Sequence, residues 1–214
     1  MAELPLDGER LEALRQAVAS GDPSRAMPAI AGLREVPPEQ AIPLLLLGLE
    51  QETFMIRSLS CAGLGYKQSE AGWTALVVAL RNDGDPNVRA EAANALVSYS
   101  LERAWPLLLE AFDANDHWLV RCSILSAVAE LIEVPGAWLL QLARLAIADG
   151  DGTVRVGGAE ILGRLVADAS LLSSPDPATG LQPDLAAEAR AELVRLQQDS
   201  DHRVVAAALN GLQG

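Results

Sequence analysis

A short phrase, an apolar residue followed by arginine, returns through this chain at almost constant spacing. It reads Phe54-Met55-Ile56-Arg57, Pro86-Asn87-Val88-Arg89, Trp118-Leu119-Val120-Arg121 and Gly152-Thr153-Val154-Arg155, with the arginines 32, 32 and 34 residues apart. Another 32 residues back lies Arg25, inside Asp22-Pro23-Ser24-Arg25, and Asp201-His202-Arg203-Val204-Val205 carries the phrase with its arginine displaced by two positions. Self-similarity at a fixed period is the signature of stacked repeats, each a supersecondary unit that cannot hide its apolar face alone.

Each phrase reads as the start of a helix. Asp22-Pro23 and Asp85-Pro86 place an acceptor before a proline at the first helical position, and Asp116, Asp151 and Asp201 stand where they can cap in the same way. Val88, Ala92, Ala95 and Leu96 then form a helical stripe, matched by Val120, Ile124, Ala127 and Val128 and by Val154, Gly158, Ile161 and Leu162. Between phrases lies a second apolar helix, expected over 41–50, 71–80, 104–112 and 137–147, with Trp73, Trp105 and Trp138 in nearly equivalent places. The expectation is an all-α, right-handed α-solenoid of about six two-helix repeats, a single domain over 1–214. Its N-terminal cap covers about 1–21. The 50 residues from Arg155 to Val205 imply a loop insertion at about 168–184, where Ser173-Ser174-Pro175-Asp176-Pro177 favours turns. Such a loop is either functional or merely tolerated.

Composition agrees with this reading and narrows the partners. Half of the residues are hydrophobic but only 4% are aromatic, and Ala and Leu, both good helix formers, dominate. The net charge is -13, with 29 acids against 16 bases, and Lys67 is the one lysine. A phosphate backbone or an anionic membrane surface needs clustered cations, which argues against nucleic acid and lipid headgroups as partners. No apolar run reaches membrane-spanning length. Cys61 and Cys122 do not make a disulfide framework. A cytoplasmic protein is the expectation.

The acid-turn-Val-Arg phrase followed by an Ala-rich helix resembles the HEAT-like repeats of the phycobilin lyase group, which includes the phycocyanobilin lyase subunits of cyanobacteria and the related phycobilisome degradation protein. The segment Asp113-Ala114-Asn115-Asp116-His117-Trp118-Leu119-Val120-Arg121-Cys122-Ser123 carries the likeness most strongly, and the resemblance extends over roughly Asp22 to Leu212. It implies a phycobiliprotein or another component of photosynthetic assembly as partner, with bilin attachment or release as the associated activity.

The arginines Arg25, Arg57, Arg89, Arg121 and Arg155 are expected to be structural, each fixing the stack by pairing with an acid or carbonyl of the adjacent unit; Asp85, Asp116 and Asp151 are the expected acceptors. Counting from the arginine, the helix face turned away from the apolar stripe carries Ser58, Ala62, Tyr66, Asn94, Ser98, Cys122, Ser126, Glu130, Glu160 and Arg164. Mostly small side chains there suit either a docked partner or tight packing between neighbouring helices. Trp118 reads as a turn staple or an exposed hot spot, and Cys122 as a small hydrophobe or a thiol near His117 and Arg121. No Cys/His cluster has zinc spacing, no phosphate loop or nucleophile elbow is present, and no catalytic residue or metal ligand is assigned. The leading expectation is a non-enzymatic, protein-binding adaptor or chaperone without a cofactor, acting alone or as half of a heterodimer. A bilin lyase, with bilin as its ligand, and a scaffold for cofactor or redox assembly using Cys61 or Cys122 are the alternatives.

Overall fold

The computed structural model describes residues 6–114, 117–168 and 184–213. Among these residues there is no strand. Twelve α-helices follow one another as α1 (Gly8–Val18), α2 (Pro23–Gly32), α3 (Pro38–Leu49), α4 (Phe54–Tyr66), α5 (Glu70–Asn82), α6 (Pro86–Tyr99), α7 (Leu101–Asp113), α8 (Trp118–Ala129), α9 (Gly136–Ile147), α10 (Gly152–Ala167), α11 (Leu185–Leu196) and α12 (His202–Gly211). A single 3-10 turn, Leu33–Glu35, follows α2. Taken in chain order these are six pairs, as the repeat requires, and the fold class is all-α, built as an α-solenoid. The segment expected to cap the stack is the first helix of the first pair; of α1 only Val18 is buried.

The local reasons are legible helix by helix. Asp22, Asp85, Asp151 and Asp201 each accept a backbone N–H from the first turn of the helix they precede. Ser69 and Ser100 do the same for α5 and α7. Each such cap satisfies donors that a helix start otherwise leaves open, worth about 1 kcal/mol. The helices between the phrases start at Pro38, Glu70, Leu101 and Gly136, slightly earlier than expected, because Pro37, these two serines and Pro135 precede them.

The chain divides into two compact units, Met1–Ser123 and Ile124–Gly214, with the division inside α8. In the first unit α1, α3, α5 and α7 form one layer and α2, α4 and α6 the other, each helix packing on its pair partner and on the next helix of its own layer. In the second unit α9 and α11 face α10 and α12 in the same way. The stripe read from the sequence is the core except at Ala127, which is half-buried: Val88, Ala92, Leu96, Val120, Ile124, Val154 and Leu162 are fully buried. Trp105 is buried as well, whereas Trp73 and Trp138 are only half-buried. Trp73 lies instead under the Arg103 guanidinium, 4.1 Å away, and edge-on to Tyr99.

Two of the five ladder arginines, Arg57 and Arg155, lock neighbouring pairs, with acceptors that differ from those expected. Arg57 on α4 meets Asp83 in the next turn with two parallel hydrogen bonds, Nε to Oδ2 at 2.7 Å and Nη2 to Oδ1 at 2.9 Å, while Nη1 donates to the carbonyls of Gln51 and Glu52. Arg155 repeats this on Asp199 and on the Asp149 and Gly150 carbonyls. The acceptor is thus not Asp85 or Asp151, whose carboxylates are already committed to capping. It is the acid of an Asp-x-Asp turn two residues earlier, which also receives the backbone N–H of the capping residue. Arg155 reaches its acceptor across 44 residues and Arg57 across 26, so the lock survives the insertion. Arg89 donates to the Asp83 carbonyl, and Arg121 is buried. Arg25 is exposed and makes no hydrogen bond or ion pair among the described residues, because the phrase before α4 offers Gln51 in place of an acid. Asp116 and, but for its two end residues, the loop insertion expected at about 168–184 lie outside the described residues.

Candidate functional site

The second-layer helices of the first unit sit backbone to backbone. A Cβ on Gly65 of α4 would come within 3.0 Å of both Cα and Cβ of Ala95 on α6. Part of the small-residue face is therefore spent on helix packing, and Ala90 and Val97 are buried with Gly65. The same closeness recurs in the second unit, where a Cβ on Gly163 would stand 2.9 Å from the Gly211 Cα.

What remains open on this face is a pair of grooves on either side of α4. The first, about 360 Å3, runs between α2 and α4 and is apolar, lined by Ile30, Leu33, Leu45 and Leu59 with Arg34 at its rim. The second, about 400 Å3, runs between α4 and α6 and is polar, lined by Gln68, Glu91, Asn94 and Ser98. Ala62 and Tyr66 border both. Tyr66 is 57% exposed, with the Arg34 guanidinium 4.8 Å and the Lys67 ammonium 5.4 Å from its ring centre. Lys67 itself is buried.

Four residues singled out from the sequence, Ala62, Tyr66, Asn94 and Ser98, thus meet in one groove, and hydrogen bonds hold its walls. Gln68 Nε2 donates to the Ser98 carbonyl at 2.5 Å, Tyr99 Oη donates to the Leu64 carbonyl at 2.9 Å, and Asn94 Oδ1 accepts from Ser123 Oγ at 2.9 Å. Ser58 is half-buried on α4 and lines neither groove. Trp118, 43% exposed, opens α8 beside the His117 ring, and Cys122 is half-buried one turn on. In the second unit Ser126, Glu130 and Glu160 are exposed. Arg164 there does not present a free cation: its guanidinium donates to the carbonyls of Ala129, Leu131 and Ile132, closing the end of α8.

Reading the sequence missed Glu91 and Arg34. Glu91 is half-buried in the polar groove, and among the described residues it has no hydrogen-bond or ion-pair partner. Burial raises its carboxyl above the ordinary glutamate value. A signal for it was present: two positions after each ladder arginine stand Met27, Leu59, Glu91, Ser123 and Gly157, so one charge interrupts an uncharged column. Cys61, beneath this face, is pushed up to about 12 by burial, with Glu91 and Asp83 adding to the effect, and does not present a thiolate. Among the described residues no group of three or more His, Cys, Asp or Glu side chains could hold a metal ion, and no helix is long and apolar enough to cross a membrane.

Residues 44–129, which contain both walls of the polar groove, match a known family. The match is to HEAT repeats. It covers α4 to α8, the part of the chain in which the 32-residue spacing is strictest. The HEAT-like architecture is also similar to that of human deoxyhypusine hydroxylase, solved in complex with glycerol: 14% identity, a TM-score of 0.50, and 96% of this chain and 95% of that chain covered. At that identity the likeness is one of fold. No curated protein matches the chain in sequence.

Proposed function

We propose that this HEAT-like chain is a non-enzymatic adaptor or chaperone that docks a partner protein on the face formed by α2, α4 and α6, and that the partner is a phycobiliprotein or another component of photosynthetic assembly. The observation that carries the docking reading is the pair of grooves sharing Tyr66 and Ala62. One is apolar and one polar, and the exposed aromatic between them is the kind of side chain on which interfaces concentrate binding energy. HEAT repeats serve widely as protein-binding scaffolds, which supports the same reading. The choice of partner rests on the likeness of the segment from Asp113 to Ser123 to the phycobilin lyase group.

The test is retention from a phycobilisome-containing lysate by immobilised protein, comparing wild type with Ala62→Trp after both have been shown to melt alike. Wild type is expected to retain a phycobiliprotein and Ala62→Trp to lose it. Retention of no phycobiliprotein by wild type contradicts the partner, and equal retention by Ala62→Trp contradicts the face.

A further inference from the structure

Glu91 is out of keeping with its surroundings. A carboxylate withdrawn from water without a counter-charge costs stability, and folded chains usually pair or neutralise such groups. Other acids near the helix seams have arginine partners: Asp83 and Asp199 hold the ladder arginines, Glu70 holds Arg103 and Glu110 holds Arg81. Glu91 faces a groove open to solvent, beside the amides of Gln68 and Asn94 and the exposed ring of Tyr66. The Tyr66 ring is already faced by the chain's own Arg34 and Lys67, so the anionic floor at Glu91 with its flanking amides is what a further guanidinium or ammonium requires. The chain as a whole, at -13, attracts basic partners and repels acidic ones.

Resting on the docking reading above, we infer that the groove between α4 and α6 receives an arginine or lysine side chain from a basic segment of the partner, with Glu91 as its counter-ion and Gln68 and Asn94 as its polar walls, while a neighbouring apolar side chain of that segment enters the groove between α2 and α4. Packed helices lie about 8–10 Å apart. The two anchors of the partner therefore stand about seven residues apart on a helix, or about three apart on an extended strand. Glu91 is half-buried, so an arriving cation gains more there than at a fully exposed acid.

A displayed library of random peptides selected against the wild-type protein tests this whatever the partner's identity. Recovered peptides, fluorescently labelled, are titrated by anisotropy into wild type, Glu91→Gln and Ala62→Trp, each checked by thermal melting, with Ala62→Met standing in if the tryptophan variant does not fold. The expected outcome is ligands enriched in Arg or Lys beside an apolar residue, binding weakened about tenfold or more by Glu91→Gln and weakened by raised salt. Ligands that lose binding to the Ala62 variant but are indifferent to Glu91→Gln, or that are not basic, overturn the cation site and leave the docking face standing. Ligands indifferent to both variants, or no ligands at all, overturn the docking reading with it.

Discussion

Gly65 on α4 and Ala95 on α6 bring two helix backbones together so closely that a side chain on the glycine would stand 3.0 Å from the alanine Cα. The contact sets the separation of the second-layer helices in the first unit, and with it the width of the groove holding Glu91. Gly65→Val is expected to force α4 and α6 apart and to destabilise by about 1–3 kcal/mol, the usual cost of overpacking. Urea unfolding checks this. Gly84→Ala, at a turn where a Cβ meets nothing within 4 Å, is the control expected to change little.

Glu91→Gln is expected to stabilise the protein at neutral pH. Burial raises the folded-state carboxyl above its unfolded value, so the group favours folding only at pH low enough to protonate it, and that contribution is lost as pH rises through the folded value. At pH 7 the substitution removes a half-buried charge and should raise the melting temperature by about 2 °C, within the shift that 1 kcal/mol produces in a chain of this size. At pH 4 the gain should vanish. A residue whose removal stabilises the fold fits a site held in reserve for a partner.

Acid should act in the opposite sense through the ladder. Asp199 is lowered by its Arg155 hydrogen bonds and by the Asp201 N–H; Asp83 is pushed up by burial, but the Arg57 hydrogen bonds and the Asp85 N–H outweigh this and leave it below the ordinary range. The Arg203 side chain and N–H hold Asp201 down at about 2. Groups with lowered folded values stabilise above the ordinary carboxylate range and lose that contribution as pH falls, here between roughly pH 4 and pH 2. Melting curves across this interval should show a steep loss in wild type. Arg57→Met, already lacking one lock, should differ from wild type less at pH 3 than at pH 7.

Thiol labelling separates the two cysteines. Cys61 is fully buried with its thiol at about 12, whereas Cys122 is half-buried on α8. At pH 8 in native buffer Cys61 should resist an aromatic disulfide reagent and react only at the rate of unfolding, while Cys122 reacts first. Prompt modification of Cys61 in the folded protein contradicts its placement.

The repeat was legible because it is written in residues whose local physics is unambiguous: a capping aspartate, a proline at the first turn, a buried Val one place before each arginine in three successive phrases. These placed the helix pairs and the core stripe. The acceptors of the arginines were misread because capping and pairing both call for an aspartate, and only three-dimensional geometry assigns Asp85 to the first role and Asp83 to the second. The site was half legible. Helical periodicity puts Ala62, Tyr66, Asn94 and Ser98 on one face. It does not say that Gly65 and Ala90 on that face are consumed by packing, that Arg164 is spent on the end of α8, or that Glu91 is left without a charge partner. Those depend on how close the neighbouring helix comes, which a single chain's pattern does not encode.

The central claim is that the paired ladder arginines, Arg57 and Arg155, each fasten their helix pair to the next. A double-mutant cycle on Arg57 and Asp83 tests it most directly, because the pair is mostly buried, with side-chain exposures of 18% and 11%, and bidentate. Arg57→Met and Asp83→Asn should each destabilise by about 2–4 kcal/mol, since either leaves its partner withdrawn from water and uncompensated. The double variant should cost clearly less than the two single losses together, giving a coupling of at least about 1 kcal/mol. Strictly additive losses would mean that the two residues act separately, and the fastening between neighbouring pairs would have to lie elsewhere.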